Sequence, residues 1–232
     1  MWLAPGRVRT GPAVVDEKAV KTAGHIAWDL DGCLFDSDQL HYLAVNEALK
    51  PYGERITEEE HLSTFKGLPT LKKCEMLTAM GRLPAEAHLN VSTLKQLATR
   101  DAIALAVKPD FKVTALLMAL QTAGWRQCCC SNSVRDTVFR ILTQLDLLDF
   151  MDFYLSNQDV RRAKPAPDMY EKAATIFGIV PQQLIVIEDA LPGRRAAMGA
   201  RCVLVPVEGP QDVGPELLPR ILAARRELVE VR

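Results

Sequence analysis

No stretch of this 232-residue chain approaches the roughly eighteen consecutive apolar residues that a membrane-crossing helix needs. Charge of one sign is also missing. Lys and Arg number 28 against 29 Asp and Glu, giving a formal net charge of -1 and a pI of about 6.4. That balance lacks the basic excess that draws a chain to nucleic acid, and it has no acidic tail. The six cysteines form no CxxC pair, which argues against a zinc site. Three of them, Cys128, Cys129 and Cys130, lie in an apolar run where a free thiol behaves as a small hydrophobe, so a reduced, cytoplasmic protein is expected. The first 24 residues lack a long apolar stretch and contain Gly6 and Gly11. They read as a poorly ordered leader rather than a secretory signal. Repeats and low-complexity tracts are absent.

Apolar material, in contrast, is plentiful. Hydrophobic residues make up 48% of the chain, enough for one large domain or a domain with a small insertion. The run His25-Ile26-Ala27-Trp28 leads into the acidic turn Asp29-Leu30-Asp31-Gly32, the pattern of a buried strand and its loop. From about 38 to 107 only helical patterns occur, over about 38–52, 57–65, 71–80 and 84–106. Leu40, Leu43, Ala44, Ala48 and Leu49 share a face of the first, and Thr57–Glu60 fits a capping box. After Pro109, helices at 111–123, 134–145, 167–177 and 193–198 alternate with strands at 126–130, 152–155, 184–187 and 202–205. Gly178 is a candidate C-cap. This alternation predicts an α/β fold: a Rossmann-like parallel sheet covered on both faces. The expected organisation is a leader at 1–24, an α/β core from 25–42 and 107–210, an inserted α-helical cap domain at 43–106, and a C-terminal surface helix within 211–232.

Four polar clusters follow these strands, and in an open α/β sheet the carboxyl ends of the strands share one crevice. Asp29 and Asp31 lie two positions apart across a tight turn. One carboxylate can attack an electrophile while the other moves a proton. Gly32 lets the backbone present N–H groups to phosphate oxygens. An ordinary acidic turn would read the same. Ser131, Asn132 and Ser133 offer donors for an oxyanion or an N-cap for the next helix, and the two roles are compatible. Lys164, in the turn Lys164-Pro165-Ala166-Pro167, could hold phosphate and nucleophile by charge, or be a solvated surface lysine. Glu188 and Asp189 end the cleanest strand. Adjacent buried carboxylates repel, and a hard divalent cation would relieve them; an exposed N-cap would need none. Together these are the parts of a phosphoryl-transfer site. His41, on the first helix, could face the cap–core junction, although a lone helical histidine is more often a surface residue.

The ordered motifs resemble the haloacid dehalogenase-like hydrolase superfamily over about residues 25–210. They are Asp29-Leu30-Asp31-Gly32-Cys33-Leu34-Phe35-Asp36, Ser131-Asn132, Lys164-Pro165-Ala166-Pro167-Asp168, and Ile187-Glu188-Asp189-Ala190-Leu191-Pro192-Gly193. The helical insertion resembles the branch containing β-phosphoglucomutase and many sugar-phosphate phosphatases. The resemblance implies that Asp29 is a nucleophile forming an aspartyl-phosphate and that Asp31 is the general acid/base. It places Asp29, the Asp31 carbonyl, Asp189 and Glu188 at Mg²⁺. Ser131, Lys164, Leu30 and Asn132 would bind the phosphoryl group, and Gly67, Thr70 and His41 would meet the substrate from the cap side. True dehalogenases usually lack the second aspartate, so Asp31 points to phosphate chemistry. The mutase pattern Lys-Gly-x-x-Arg reads Lys66-Gly67-Leu68-Pro69-Thr70 here, and the position of a second cap cation reads Asp101. Two missing cations disfavour a mutase, although His41 matches one of its histidines. The expectation is a Mg²⁺-dependent phosphatase of a small phosphorylated metabolite, such as a sugar phosphate. It would be a monomer or weak homodimer without nucleic-acid or membrane partners. The alternatives are a phosphomutase and a non-catalytic binding protein of the same fold.

Overall fold

The computed structural model describes residues 23–66 and 68–230. Almost all of the expected leader, and Gly67, lie outside the described residues. Five parallel strands, β1 (His25–Trp28), β2 (Arg126–Cys130), β3 (Phe153–Leu155), β4 (Leu184–Glu188) and β5 (Val203–Pro206), form one sheet in the order β3-β2-β1-β4-β5. Side chains alternate across it. Ile26, Trp28, Cys129, Ile185 and Ile187 face one hydrophobic layer, and Ala27, Cys128, Cys130, Leu184 and Val186 face the other. Burial on both faces explains why Ile26–Trp28, Cys128–Cys130 and Leu184–Ile187 are apolar runs with no polar alternation.

The first layer is closed by α5 (Phe111–Thr122), α6 (Arg135–Gln144) and α9 (Leu218–Glu230), through residues such as Leu117, Ile141 and Ile221. The second is closed by α7 (Asp168–Phe177) and α8 (Leu191–Gly199), through Met169, Ala173 and Ala196. Gly178 ends α7 at φ 72, a left-handed cap that suits glycine. Buried polarity in the sheet is matched: Trp28 Nε1 donates to Gln127 Oε1 at 3.0 Å, and Gln127 Nε2 donates to the Leu117 carbonyl at 3.0 Å.

Between β1 and α5 the chain is helical: α1 (Asp38–Leu49), α2 (Glu58–Glu60) running into a π-helical turn (His61–Phe65), α3 (Thr70–Ala79) and α4 (His88–Ala106). The capping box forms as expected, with Thr57 and Glu60 each accepting from the other's backbone N–H. This insertion owns a separate core of Val45, Leu49, Phe65, Leu77 and Val91. The opposite ends of α1 and α4 join the sheet core, through Leu40 and through Ala102 and Ile103. These two helices therefore tie the helical cap to the sheet. Among the described residues no helix is long and apolar enough to cross a membrane.

Candidate active site

The register of the sheet brings the clusters together. Trp28 pairs with both Cys129 and Ile187, so the chain leaves β1, β2 and β4 at one level, and Asp29, Ser131 and Asp189 follow side by side. The Asp29 N–H donates to the Ile187 carbonyl at 3.0 Å, fixing the start of the loop. Gly32 then turns at φ +84, and a Cβ there would lie 2.4 Å from Asp189 Oδ2. Only glycine fits both constraints.

Lys164 is buried, which excludes a solvated surface role. Its ammonium donates to Asp29 Oδ1 at 2.7 Å, Glu188 Oε1 at 2.7 Å and the Cys130 carbonyl at 2.8 Å. Burial works against its charge, but Asp29, Tyr170 and Glu188 outweigh it and hold the lysine protonated. Asn132 fixes the backbone behind it: its Nδ2 donates to the Lys164 carbonyl and its Oδ1 accepts from the Lys164 N–H, both at 3.0 Å. The Asn132 side chain thus positions Lys164. Burial first, then the Glu188 charge, pushes the Asp29 carboxyl well up against the pull of Lys164. Asp29 keeps 7% exposure, and among the described residues its Oδ2 has no hydrogen-bond partner.

Asp31 is held differently. Ser131 Oγ and Ser133 Oγ donate to its Oδ2 at 3.2 and 3.0 Å, and His41 Nε2 lies 3.3 Å from its Oδ1. Burial would raise this carboxyl, but the contact with His41 and the two hydroxyls keep it low. Neighbouring carboxylates are thus driven in opposite directions, a pattern that separates acid/base roles. Ser131 and its neighbours do not cap the following helix. The N-cap of α6 is Val134, without a side-chain cap bond, and the Ser131 hydroxyl instead accepts from the Ser133 N–H at 3.0 Å.

Asp29, Glu188 and Asp189 each offer an oxygen within 4.8 Å of the others. Neither Glu188 nor Asp189 is the N-cap of α8, which is Ala190. Glu188 is the most engaged of the three. Its Oε1 accepts from Lys164 and from the Tyr170 hydroxyl at 3.1 Å, and its Oε2 accepts from the Ala190 N–H at 3.1 Å. Asp189 Oδ1 is buried with no partner among the described residues, and burial followed by the Glu188 charge raises its pKa to about 6. A hard oxygen-lined group of carboxylates, one of them orphaned and straining to take a proton, fits a divalent cation. Gly193 makes room for Glu188: a Cβ there would lie 1.5 Å from Glu188 Oε1.

Two positions at the site, Tyr170 and Lys95, were not legible in the sequence. Tyr170 is fully buried, hydrogen-bonded to Glu188 and stacked 4.9 Å from the Lys164 ammonium; only its place six residues after Lys164 hinted at it. Ser133 and His41, both singled out in the sequence, join Asp31. On α4 it is Lys95, not Asp101, that reaches the crevice: Lys95 Nζ lies 3.4 Å from His41 Nδ1, while Asp101 is exposed. A lysine of the cap thus lies beside His41, six positions before Asp101, the position at which the mutase pattern has a cation. Thr70 opens α3, half-buried on the cap side, and Leu30 is buried beneath the loop.

This chain is 27% identical to hexitol phosphatase A of Escherichia coli (strain K12) over 187 residues, covering 80% of this chain and 83% of the relative. It is 30% identical to a phosphoglycolate phosphatase of Shigella sonnei over 196 residues, covering 76% and 78%. The crystal structure of β-phosphoglucomutase from Clostridium difficile superposes with a TM-score of 0.68 at 20% identity, over 91% of this chain and 100% of that one, a likeness of fold. The profile of the haloacid dehalogenase-like hydrolases matches residues 26–207, which hold every cluster described above, and the chain belongs to that family.

Proposed function

We propose that this chain is a Mg²⁺-dependent phosphatase that hydrolyses a small phosphomonoester, a sugar phosphate or similar metabolite, through an aspartyl-phosphate. The observation that carries the reading is the division of labour between Asp29, clamped by Lys164 with one oxygen left open, and Asp31, held two residues away by His41, Ser131 and Ser133. Asp29 attacks phosphorus as the bond to the substrate oxygen breaks, and Asp31 gives that oxygen its proton. The arriving phosphate charge raises the proton affinity of Asp31, which is otherwise low. Asp31, ionised again, then takes a proton from water; the resulting hydroxide oxygen attacks phosphorus and inorganic phosphate leaves, freeing Asp29. Lys164 and the Ser131 hydroxyl face the charge that builds on the phosphoryl oxygens. Asp29, Asp189 and the Asp31 carbonyl would hold Mg²⁺ beside Glu188, and the ion would neutralise carboxylate and phosphoryl charge together. Residues 43–106 act as a cap domain that excludes bulk water over the site. The six free thiols fit a reducing compartment, and we place the protein in the cytoplasm as a monomer or weak homodimer.

The names of the relatives make hexitol phosphates and 2-phosphoglycolate the first substrates to try. Lys95 beside His41 keeps a phosphomutase as the second reading, because a mutase must grip its substrate from the cap. The test is phosphate release from a phosphomonoester panel with and without Mg²⁺, for the wild type and Asp29→Asn. Release that needs Mg²⁺ and disappears in the variant supports the phosphatase. Transfer to a second hydroxyl in the presence of a bisphosphate activator, without net release, establishes the mutase. Activity untouched by Asp29→Asn overturns both.

A further inference from the structure

The chemistry proposed above gives no task to Tyr170. This residue lies in the first turn of α7, where its backbone N–H donates to the Pro167 carbonyl at 3.0 Å. It is fully buried in the layer that also holds Met169, Ala173, Ala174 and Val186, so close packing fixes its ring. Phenylalanine would serve that packing equally well. The hydroxyl is what packing leaves unexplained: in an otherwise apolar layer, it donates to Glu188 Oε1 at 3.1 Å. The face of the same ring lies 4.9 Å from the Lys164 ammonium. One side chain thus touches both members of a buried ion pair.

Glu188 is 1% exposed, and a carboxylate so buried needs donors. Each carboxylate oxygen has about two acceptor positions. Those of Oε1 are filled, by Lys164 at 2.7 Å and by Tyr170, while Oε2 accepts from the Ala190 N–H at 3.1 Å. The N–H bonds of the Lys164 ammonium are equally committed, to Asp29 Oδ1, Glu188 Oε1 and the Cys130 carbonyl. Asp29 and Glu188 therefore compete for one cation. Without the Tyr170 hydroxyl, Glu188 Oε1 has an empty acceptor position, and its less satisfied charge draws Lys164 away from Asp29. We propose that Tyr170 is a positioning residue: its hydroxyl commits Glu188, its ring seats the ammonium, and together they aim Lys164 at Asp29 and at the phosphoryl oxygens. This role deepens the phosphatase reading and rests on it for the reaction in which Lys164 takes part.

Tyr170→Phe keeps the ring and removes only the hydroxyl. With Mg²⁺ and the phosphomonoester that the wild type turns over fastest, kcat should fall about tenfold, the worth of one hydrogen bond to a charged acceptor. KM should stay within about threefold, because the residue acts on Lys164 and not on the substrate. Tyr170→Met, which removes the ring as well, should be slower again by about threefold or more, for the lost cation–π contact. The Mg²⁺ dissociation constant, from titration calorimetry without substrate, should change by less than about threefold, since Tyr170 is hydrogen-bonded to Glu188 and not to Asp29 or Asp189. A residue that only fills space would leave kcat of Tyr170→Phe at the wild-type value. That result, or a loss confined to KM or to Mg²⁺ affinity, would overturn the proposal, and Tyr170→Met no slower than Tyr170→Phe would overturn the role of the ring. If the wild type turns over no phosphomonoester, the phosphatase reading fails, and thermal denaturation of the metal-free protein still tests the positioning. Tyr170→Phe and Lys164→Met together should then lower Tm by less than the sum of their separate losses, because they act on one cluster. Additive losses would overturn it.

Discussion

Lys164 sits 2.7 Å from a carboxylate on either side, one on Asp29, the proposed nucleophile, and the other on Glu188, anchored by Tyr170 and the Ala190 N–H. Its removal would leave two buried carboxylates facing each other without a counter-charge, and breaking a buried pair from one side costs about 3–5 kcal/mol. Lys164→Met should therefore lose about that much stability in urea unfolding at neutral pH. The sign of the pH effect follows from the carboxylates. Without the ammonium the folded-state pKa of Asp29, already raised by burial, rises further above its unfolded value, so the folded state takes up a proton that the unfolded state does not. The deficit should then shrink as pH falls through that raised value; a deficit that widens on acidification would contradict this account. Gly193 is the second residue whose identity is fixed by Glu188. In the first turn of α8, alanine would ordinarily gain about 0.5–1 kcal/mol over glycine. Here its Cβ would meet Glu188 Oε1 at 1.5 Å and push the carboxylate off Lys164. Gly193→Ala should lower kcat more than tenfold, on the order of 1.4 kcal/mol or greater, measurable by steady-state phosphate release.

At the scale of elements, α1 and α4 each belong to two cores, so the helical insertion has a hydrophobic core of its own and is tied to the sheet by the same two helices. Leu77, fully buried in the cap core, makes no contribution to the sheet core. Leu77→Ala should cost about 2–5 kcal/mol locally. Hydrogen exchange should speed up in α3 and the π-helical turn while β1, β2 and β4 keep their protection; uniform acceleration would mean that the two cores melt as one. The elements themselves were largely visible in the sequence. β1, β2 and β4 carry the unbroken apolar runs Ile26–Trp28, Cys128–Cys130 and Leu184–Ile187 because they are covered on both faces, and β3 read weakly because it is a three-residue edge strand with two of its side chains half-buried. What periodicity could not give was the local departure from regular winding. The turn His61–Phe65 widens to π-helix, and α8 begins at Leu191, before the expected 193, because Pro192 is well suited to a first helical turn.

At the scale of the whole molecule, the legible part of the site is the part built from short strand-end segments, where sequence neighbours remain spatial neighbours. Asp29, Asp31, Ser131, Lys164 and the Glu188–Asp189 pair converge because parallel strands end together. The rest depends on the rotation of one helix against another: Lys95 reaches His41 across 54 positions, and counting along α4 pointed to Asp101 instead. The same convergence concentrates charge. Asp29 and Glu188 pair with the buried Lys164 while Asp31 and Asp189 lie on the same loops, and burial followed by the Glu188 charge raises Asp189 to about 6. A carboxyl raised in this way makes the folded state bind a proton that the unfolded chain, near 4, does not hold. Acidification from about 6 towards 4 therefore relieves the metal-free fold at this residue, while deprotonation above about 6 charges it. Divalent binding has the opposite dependence, because its ligands must be ionised. Mg²⁺ should raise Tm at pH 7.5, by about 1.4 kcal/mol of stability at tenfold excess over its dissociation constant. The shift should fade as pH drops below about 6, and EDTA should abolish it. Asp189→Asn should remove the Mg²⁺ shift while raising the stability of the metal-free protein, since it deletes the charge that only a cation balances. Thermal denaturation at pH 7.5 and 5.5, with and without Mg²⁺, reads all of these at once. A Mg²⁺ shift that is the same at both pH values, or that persists in Asp189→Asn, would move the cation away from this carboxylate.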